Sequence, residues 1–156
     1  MTTGDFKSDE LLVQERGLRF GTFETVTALA LGNFAMQLGL ERNLPIAIEV
    51  RFGEWTVFKA ALPGSSIKND SWIERKARVV NLTHNSTMYE RVRAEELGSD
   101  WYAENGVSEE SYAIHGGGLP IFNKDGQHVG TLLISGLPQV EDHKLGIEIL
   151  SRFIAQ

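Results

Sequence analysis

The residues of this chain whose types and spacing bear on chemistry are a histidine beside a glycine triplet, a serine at a helix entry, and a cluster of bases. His115 precedes Gly116-Gly117-Gly118, and successive glycines let backbone N–H groups converge as an anion-binding nest. Ser135-Gly136 leads into Pro138 and a helical pattern. A helix N-terminus there adds partial positive charge, although Pro138 itself donates nothing. Arg75, Lys76 and Arg78 lie together in an acidic chain, and Arg75 or Lys76 suits a ligand carboxylate or phosphate. His115, nearest the nest, is the best candidate for an acid–base group. Each feature also has a plain structural reading. Three glycines permit a tight strand entry, bases on a helix pair with acids in solvent, and a lone histidine commonly serves a structural hydrogen bond. His143, on an apolar stripe, reads as packed core.

Much other chemistry is excluded. With no cysteine, there are no disulfides, zinc-thiolate sites or cysteine nucleophiles. No strand–GxGxxG–helix order or GxxxxGK[ST] loop occurs. His84, His115, His128 and His143 show neither HExxH nor a paired zinc spacing, and Ser135 lacks the GxSxG frame of a hydrolase. Glu141 and Asp142 open a helix, where acids stabilise the positive end whatever the function. Met36 reads as core filler, not as a haem ligand. A formal charge of −6 argues against a general nucleic-acid binder. The N-terminus has no signal-peptide pattern, and no apolar run approaches the ~18 residues of a spanning helix. The expectation is a cytoplasmic protein without membrane insertion. At 156 residues, 42% hydrophobic and 23% charged, the chain reads as a single domain, 1–156.

The elements that must position these residues follow from periodicity. Residues 5–16 read as a helical arm, and Leu18 and Phe20 as a brief strand. Thr22 is a good N-cap for a helix to about Leu40, with Phe23, Val26, Ala30, Phe34 and Leu38 in one stripe. Its small residues, Gly32 and Gly39 among them, allow close approach to a sheet, and Asn43 or Gly39 ends it. Residues 45–63 form a hairpin about Gly53-Glu54, placing Phe52 opposite Trp55 and Val50 opposite Val57, with Lys59 on the apolar face. The other face, with Glu49 and Arg51, is mixed. Ser71 and Glu74 fit a capping box for a helix from Trp72 to Leu82, although Asp70 could cap instead. Ser86 or Thr87 caps a further helix, with Tyr89, Val92 and Leu97 inward and Gly98 as the stop. Residues 99–106 are polar and aromatic by turns. Leu119–Asn123 and Gln127–Ser135 pair as strands, and Leu132-Leu133-Ile134 suits burial on both faces. Pro120 disfavours a central ladder position near its own nitrogen. Val140, His143, Ile147, Leu150 and Ile154 form the stripe of the last helix.

The chain resembles the haem-degrading domain family that includes glycolate-operon-type and extracellular haem-binding proteins. The resemblance is carried by Gly116-Gly117-Gly118-Leu119-Pro120-Ile121, Asp125-Gly126, Val129-Gly130, Ser135-Gly136 and Asp142. It is closer to a subset of short cytosolic members through residues 44–51, 60–64, 69–76 and 135–143. Residues 85–92 depart from that subset's Ser-Ser-Tyr-like run. The resemblance implies an α+β fold: a central antiparallel sheet of about five strands flanked by helices, a profilin-like or sensor-domain-like sandwich assembling as homo-oligomers built on dimers. With the residues above, it leads to an oligomeric small-ligand-binding domain whose ligand is haem or another anionic metabolite. Its site would comprise His115, Gly116, Gly117, Gly118, Ser135, Gly136, Arg75 and Lys76. The alternatives are a haem-degrading or small-acid-processing enzyme, and an oligomeric protein–protein adaptor. A eukaryotic member is associated with the delivery of tail-anchored membrane proteins.

Overall fold

Strand β5 (His128–Ser135) is the middle of the sheet in this computed structural model, which describes residues 3–156. Its partners are β4 (Gly118–Asn123) and β2 (Ala47–Phe52). The sheet is completed by β1 (Arg19–Phe20) and β3 (Trp55–Ala61), in the order β1-β4-β5-β2-β3. Leu132, Leu133 and Ile134 are fully buried, as a strand covered on both faces requires. The pairings are antiparallel except β1 with β4, which is parallel, so the sheet is mixed. Pro120 sits in β4, but β1 meets that strand only at Phe122 and Asn123, so its missing N–H breaks no ladder there.

The helices are α1 (Ser8–Arg16), α2 (Thr25–Glu41), α3 (Lys68–Thr83), α4 (Thr87–Leu97), α5 (Trp101–Asn105) and α6 (Gln139–Ile154). One sheet face packs Ile48, Val50, Leu119, Ile121, Leu132 and Ile134 against α2 and α6. The other packs Ala47 and Leu133 against Ile73 and Ala77 of α3. The result is an α+β sandwich with helices on both faces. The small residues of α2 make its approach possible: a methyl at Gly32 would meet the Phe58 ring at 2.2 Å, and one at Gly39 would meet Leu62 at 2.5 Å.

Several local expectations are corrected. Helix α2 begins behind Glu24, whose side chain and that of Thr27 complete a capping box, and not behind Thr22. It buries Ala28, Leu31, Ala35 and Leu38, leaving Val26 67% and Leu29 48% exposed. Its apolar residues circle the helix, so periodicity could not choose the inward face. In the hairpin Phe52 does pair Trp55, but a bulge between Val50 and Arg51 sets Val50 against Phe58. That slip moves Lys59 to the face of Glu49 and Arg51, where it pairs with Asp70 at 3.1 Å. The mixed face is buried through charge pairing: Arg51 reaches Glu49 at 3.1 Å and Glu74 at 2.8 Å. Helix α3 starts at Lys68, so Ser71 lies inside it and forms no capping box. Leu97 is 62% exposed. Residues 101–105 form a short helix capped by Asp100, whose side chain accepts from the Ala103 amide. Helix α6 turns Leu145, Gly146 and Ile149 inward beside His143 and Leu150, while Ile147 is only half-buried.

Candidate functional site

Where β5 ends, α6 begins and α3 passes, an open cleft of roughly 290 Å³ forms. Asn69, Trp72 and Lys76 enter it from α3, His115 from the segment before β4, and Ser135, Gly136, Leu137, Gln139 and Asp142 from the β5–α6 junction. Local chemistry places each. Asn69 is held by accepting from the Ser66 amide at 2.9 Å and by donating to Ser135 Oγ at 3.1 Å. Trp72 lies edge-on to the His115 ring, with centroids 4.8 Å apart, and carries the Arg75 guanidinium over its own ring. Gln139 Oε1 accepts from the Gly116 amide at 3.2 Å.

At the base lies a buried ion pair. Lys76 Nζ donates to the Ile134 carbonyl at 2.9 Å and to Asp142 Oδ2 at 3.4 Å. Asp142 Oδ1 accepts from the Leu137 amide at 3.0 Å. Burial holds the Lys76 ammonium below its ordinary pKa, with Asp142 opposing the shift. It also pushes the Asp142 carboxyl up to about 6, with Lys76 and the Leu137 and Gly136 amides opposing. Both partners are thus drawn toward their neutral forms. His115 is pushed down to about 4 by its burial first, then by Arg91, Lys76 and Arg75. Its Nε2 is 3.2 Å from Arg91 Nη2. A guanidinium only donates, so Nε2 accepts and the neutral ring carries its proton on Nδ1.

Of the residues singled out in the sequence, Lys76, His115, Ser135 and Gly136 meet in this cleft. Arg75 stands behind Trp72 and donates to the Glu109 carbonyl, and Arg78 donates to that of Ser111. The three glycines lie behind the wall. The Gly116 amide is taken by Gln139 and the Gly118 amide by Thr87 at 3.0 Å, so two nest donors already have acceptors inside the fold. The triplet's role is steric. A methyl on Gly116 would fall 2.2 Å from the Gln139 carbonyl oxygen. One on Gly117, at φ +127°, would fall 2.2 Å from the Ile134 oxygen and 2.8 Å from Lys76 Nζ. His143 is buried beside Phe6, as expected of core. Asn69, Trp72, Gln139 and Asp142 were not singled out as site residues, although all lie in the segments that carry the family resemblance. Asp142 in particular looks like an ordinary acid at a helix start until Lys76 is seen beside it.

Fold and cleft together define an α+β sandwich with a polar cleft at a strand–helix junction. The family described as haem-degrading protein HbpS-like matches residues 23–151, and the chain belongs to that family. A UPF0303 protein of Streptomyces avermitilis is 40% identical over 94% of this chain and 90% of its own length. Among solved structures, the Ybr137w protein superposes with a TM-score of 0.87 at 27% identity, over 96% of this chain and 88% of that one. A PduOC:heme complex superposes with a TM-score of 0.69 at 16% identity, over 83% of this chain and 94% of that one; at that identity the likeness concerns the fold. Among the described residues, no helix is long and apolar enough to cross a membrane.

Proposed function

We propose that this protein is an oligomeric ligand-binding domain whose cleft takes a small anionic metabolite. The observation that carries this reading is Lys76 at the base of the cleft beside an uncharged His115, whose ring meets Arg91 at 3.2 Å. A carboxylate entering the cleft approaches Lys76 and Arg91 in a partly desolvated site, where charge–charge attraction exceeds its value in water. Ser135 and Asn69 supply polar contacts, and Trp72 an apolar wall.

Haem is the alternative ligand, supported by the family's description and by the haem-bound fold relative. The residues of this cleft do not fit it. Sites for drug-sized ligands run from about 300 Å³ upward, a tetrapyrrole is larger than most such ligands, and this cleft holds roughly 290 Å³. His115 Nε2 is engaged by Arg91 at 3.2 Å, which leaves the ring proton on Nδ1 and neither nitrogen free to ligate an iron.

A second copy of the chain is the expected partner. From Thr25 to Leu40, α2 carries no charged residue, yet Val26, Leu29 and Leu40 stand exposed. A symmetric pairing of two such helices would bury that stripe.

Titrating lactate while following the Trp72 indole by NMR tests the reading. The expected result is saturable binding that is lost in Lys76→Met. A stoichiometric Soret shift with haemin, weakened in His115→Ala and accompanied by no lactate response, would transfer the assignment to haem.

A further inference from the structure

We propose that Lys76 forms a reversible covalent imine with a small oxo-acid in this cleft, with Asp142 as its proton partner. The inference rests on the reading of the cleft as a site for a small anion, and goes beyond it in naming the ligand's reactive group and the atom it meets.

Lys76 is the only lysine or arginine among the described residues that line the cleft. A cation that merely recognised a carboxylate would work from the rim, extended and hydrated. Lys76 instead has its nitrogen at the base, with a side chain only 3% exposed. A buried amine loses its proton more readily, and only the neutral amine attacks a carbonyl. Two protein acceptors fix its position, the Ile134 carbonyl and Asp142 Oδ2. An ammonium has three protons, so one has no protein acceptor among the described residues. Gly117 leaves the room for this nitrogen, since a methyl there would come within 2.8 Å of it. Asp142 is in contact at 3.4 Å, and burial draws both groups toward their neutral forms, amine and carboxylic acid.

The step balances on these two groups. The amine adds to the carbonyl carbon, and the oxygen leaves as water. That water takes one proton from Asp142 and one from the nitrogen, leaving a protonated imine and a carboxylate. A neutral pair becomes an ion pair at the same contact, so the buried carboxylate keeps a cation beside it and no unpaired charge is created. The oxo-acid's own carboxylate would lie toward His115, in the field of Arg75 and Arg91.

Pyruvate with cyanoborohydride, followed by intact mass and peptide mapping of the full chain, tests the inference. The expected product is one reduced adduct, on Lys76, forming at least about tenfold faster than on the exposed Lys59, since a held carbonyl reacts at high effective concentration. Asp142→Asn should slow that adduct by a similar factor, and lactate, which has no carbonyl, should compete with it. Adducts spread over the surface lysines, or an unmodified Lys76, overturn the proposal. Mapping on the unaltered protein keeps the test decisive even where Lys76→Met does not fold. Lactate binding without a Lys76 adduct removes the imine and leaves the small-anion reading standing. Neither binding nor adduct removes both.

Discussion

Lys76 of α3 and Asp142 of α6 meet at 3.4 Å with side chains only 3% and 2% exposed, and the same ammonium bonds the Ile134 carbonyl of β5. One side chain thus joins a helix on one face of the sheet, the helix that leaves its central strand, and the strand itself. Removing either partner strands a buried charge. Lys76→Met should therefore lower stability by about 3–5 kcal/mol. The double variant Lys76→Met with Asp142→Leu should regain most of that loss. Urea unfolding of the three proteins measures both, and a double variant no more stable than the single would contradict the argument.

The glycine triplet should prove intolerant for reasons of space. At Gly117 the backbone is at φ +127° and a methyl would collide with the Ile134 oxygen. Gly117→Ala should cost more than the roughly 1–3 kcal/mol of backbone strain alone. Gly98 caps α4 at φ +64°, and a methyl there would meet nothing within 4 Å, so Gly98→Ala should cost only about 1–2 kcal/mol. Thermal unfolding ranks the two, and equal losses would mean that crowding at Gly117 is relieved.

Glu15 gives the fold a defined pH response. It is buried between α1, α4 and α6, accepting from Ser86 Oγ at 2.7 Å, with His143 Nε2 at 4.0 Å and Arg16 and Glu90 nearby. Burial pushes its carboxyl from 4.5 up to about 7, against the Ser86 hydrogen bonds. Folded Glu15 therefore holds its proton more tightly than the unfolded chain does, and its contribution to stability falls as pH rises from about 4.5 to about 7. A shift of that size is worth on the order of 3 kcal/mol. The stability of the wild type relative to Glu15→Gln should decline through this window and level off above it. Parallel stability–pH curves would contradict the shift.

The exposed stripe of α2 should govern assembly and not folding. Leu29 is 48% exposed, so Leu29→Glu should leave the unfolding midpoint of the subunit nearly unchanged. The same change should lower the mass seen by light scattering. An unaltered mass would place the subunit contact elsewhere.

The architecture was legible where the pattern leaves one solution. An apolar triplet at Leu132-Leu133-Ile134 must be covered on both faces, and Gly53-Glu54 between alternating residues must reverse the chain. It was not legible where apolar residues circle an element or a strand takes an extra residue. The inward face of α2 and the bulge at Val50–Arg51 depend on which surfaces meet, and Lys59 changed faces as a consequence.

The site divides in the same way. His115, Ser135, Gly136 and Lys76 were visible as residue types suited to binding, and the family resemblance already enclosed Asn69, Trp72, Gln139 and Asp142. Sequence by itself determined the strands, most of the helices and the family. Only the tertiary structure brought Lys76 to Asp142 across 66 positions of chain and turned the glycines from anion donors into spacers. The physical reason is that ionisation, hydrogen-bond supply and close approach belong to the space around an atom. That space is set by whichever elements pack there, and no local spacing encodes it.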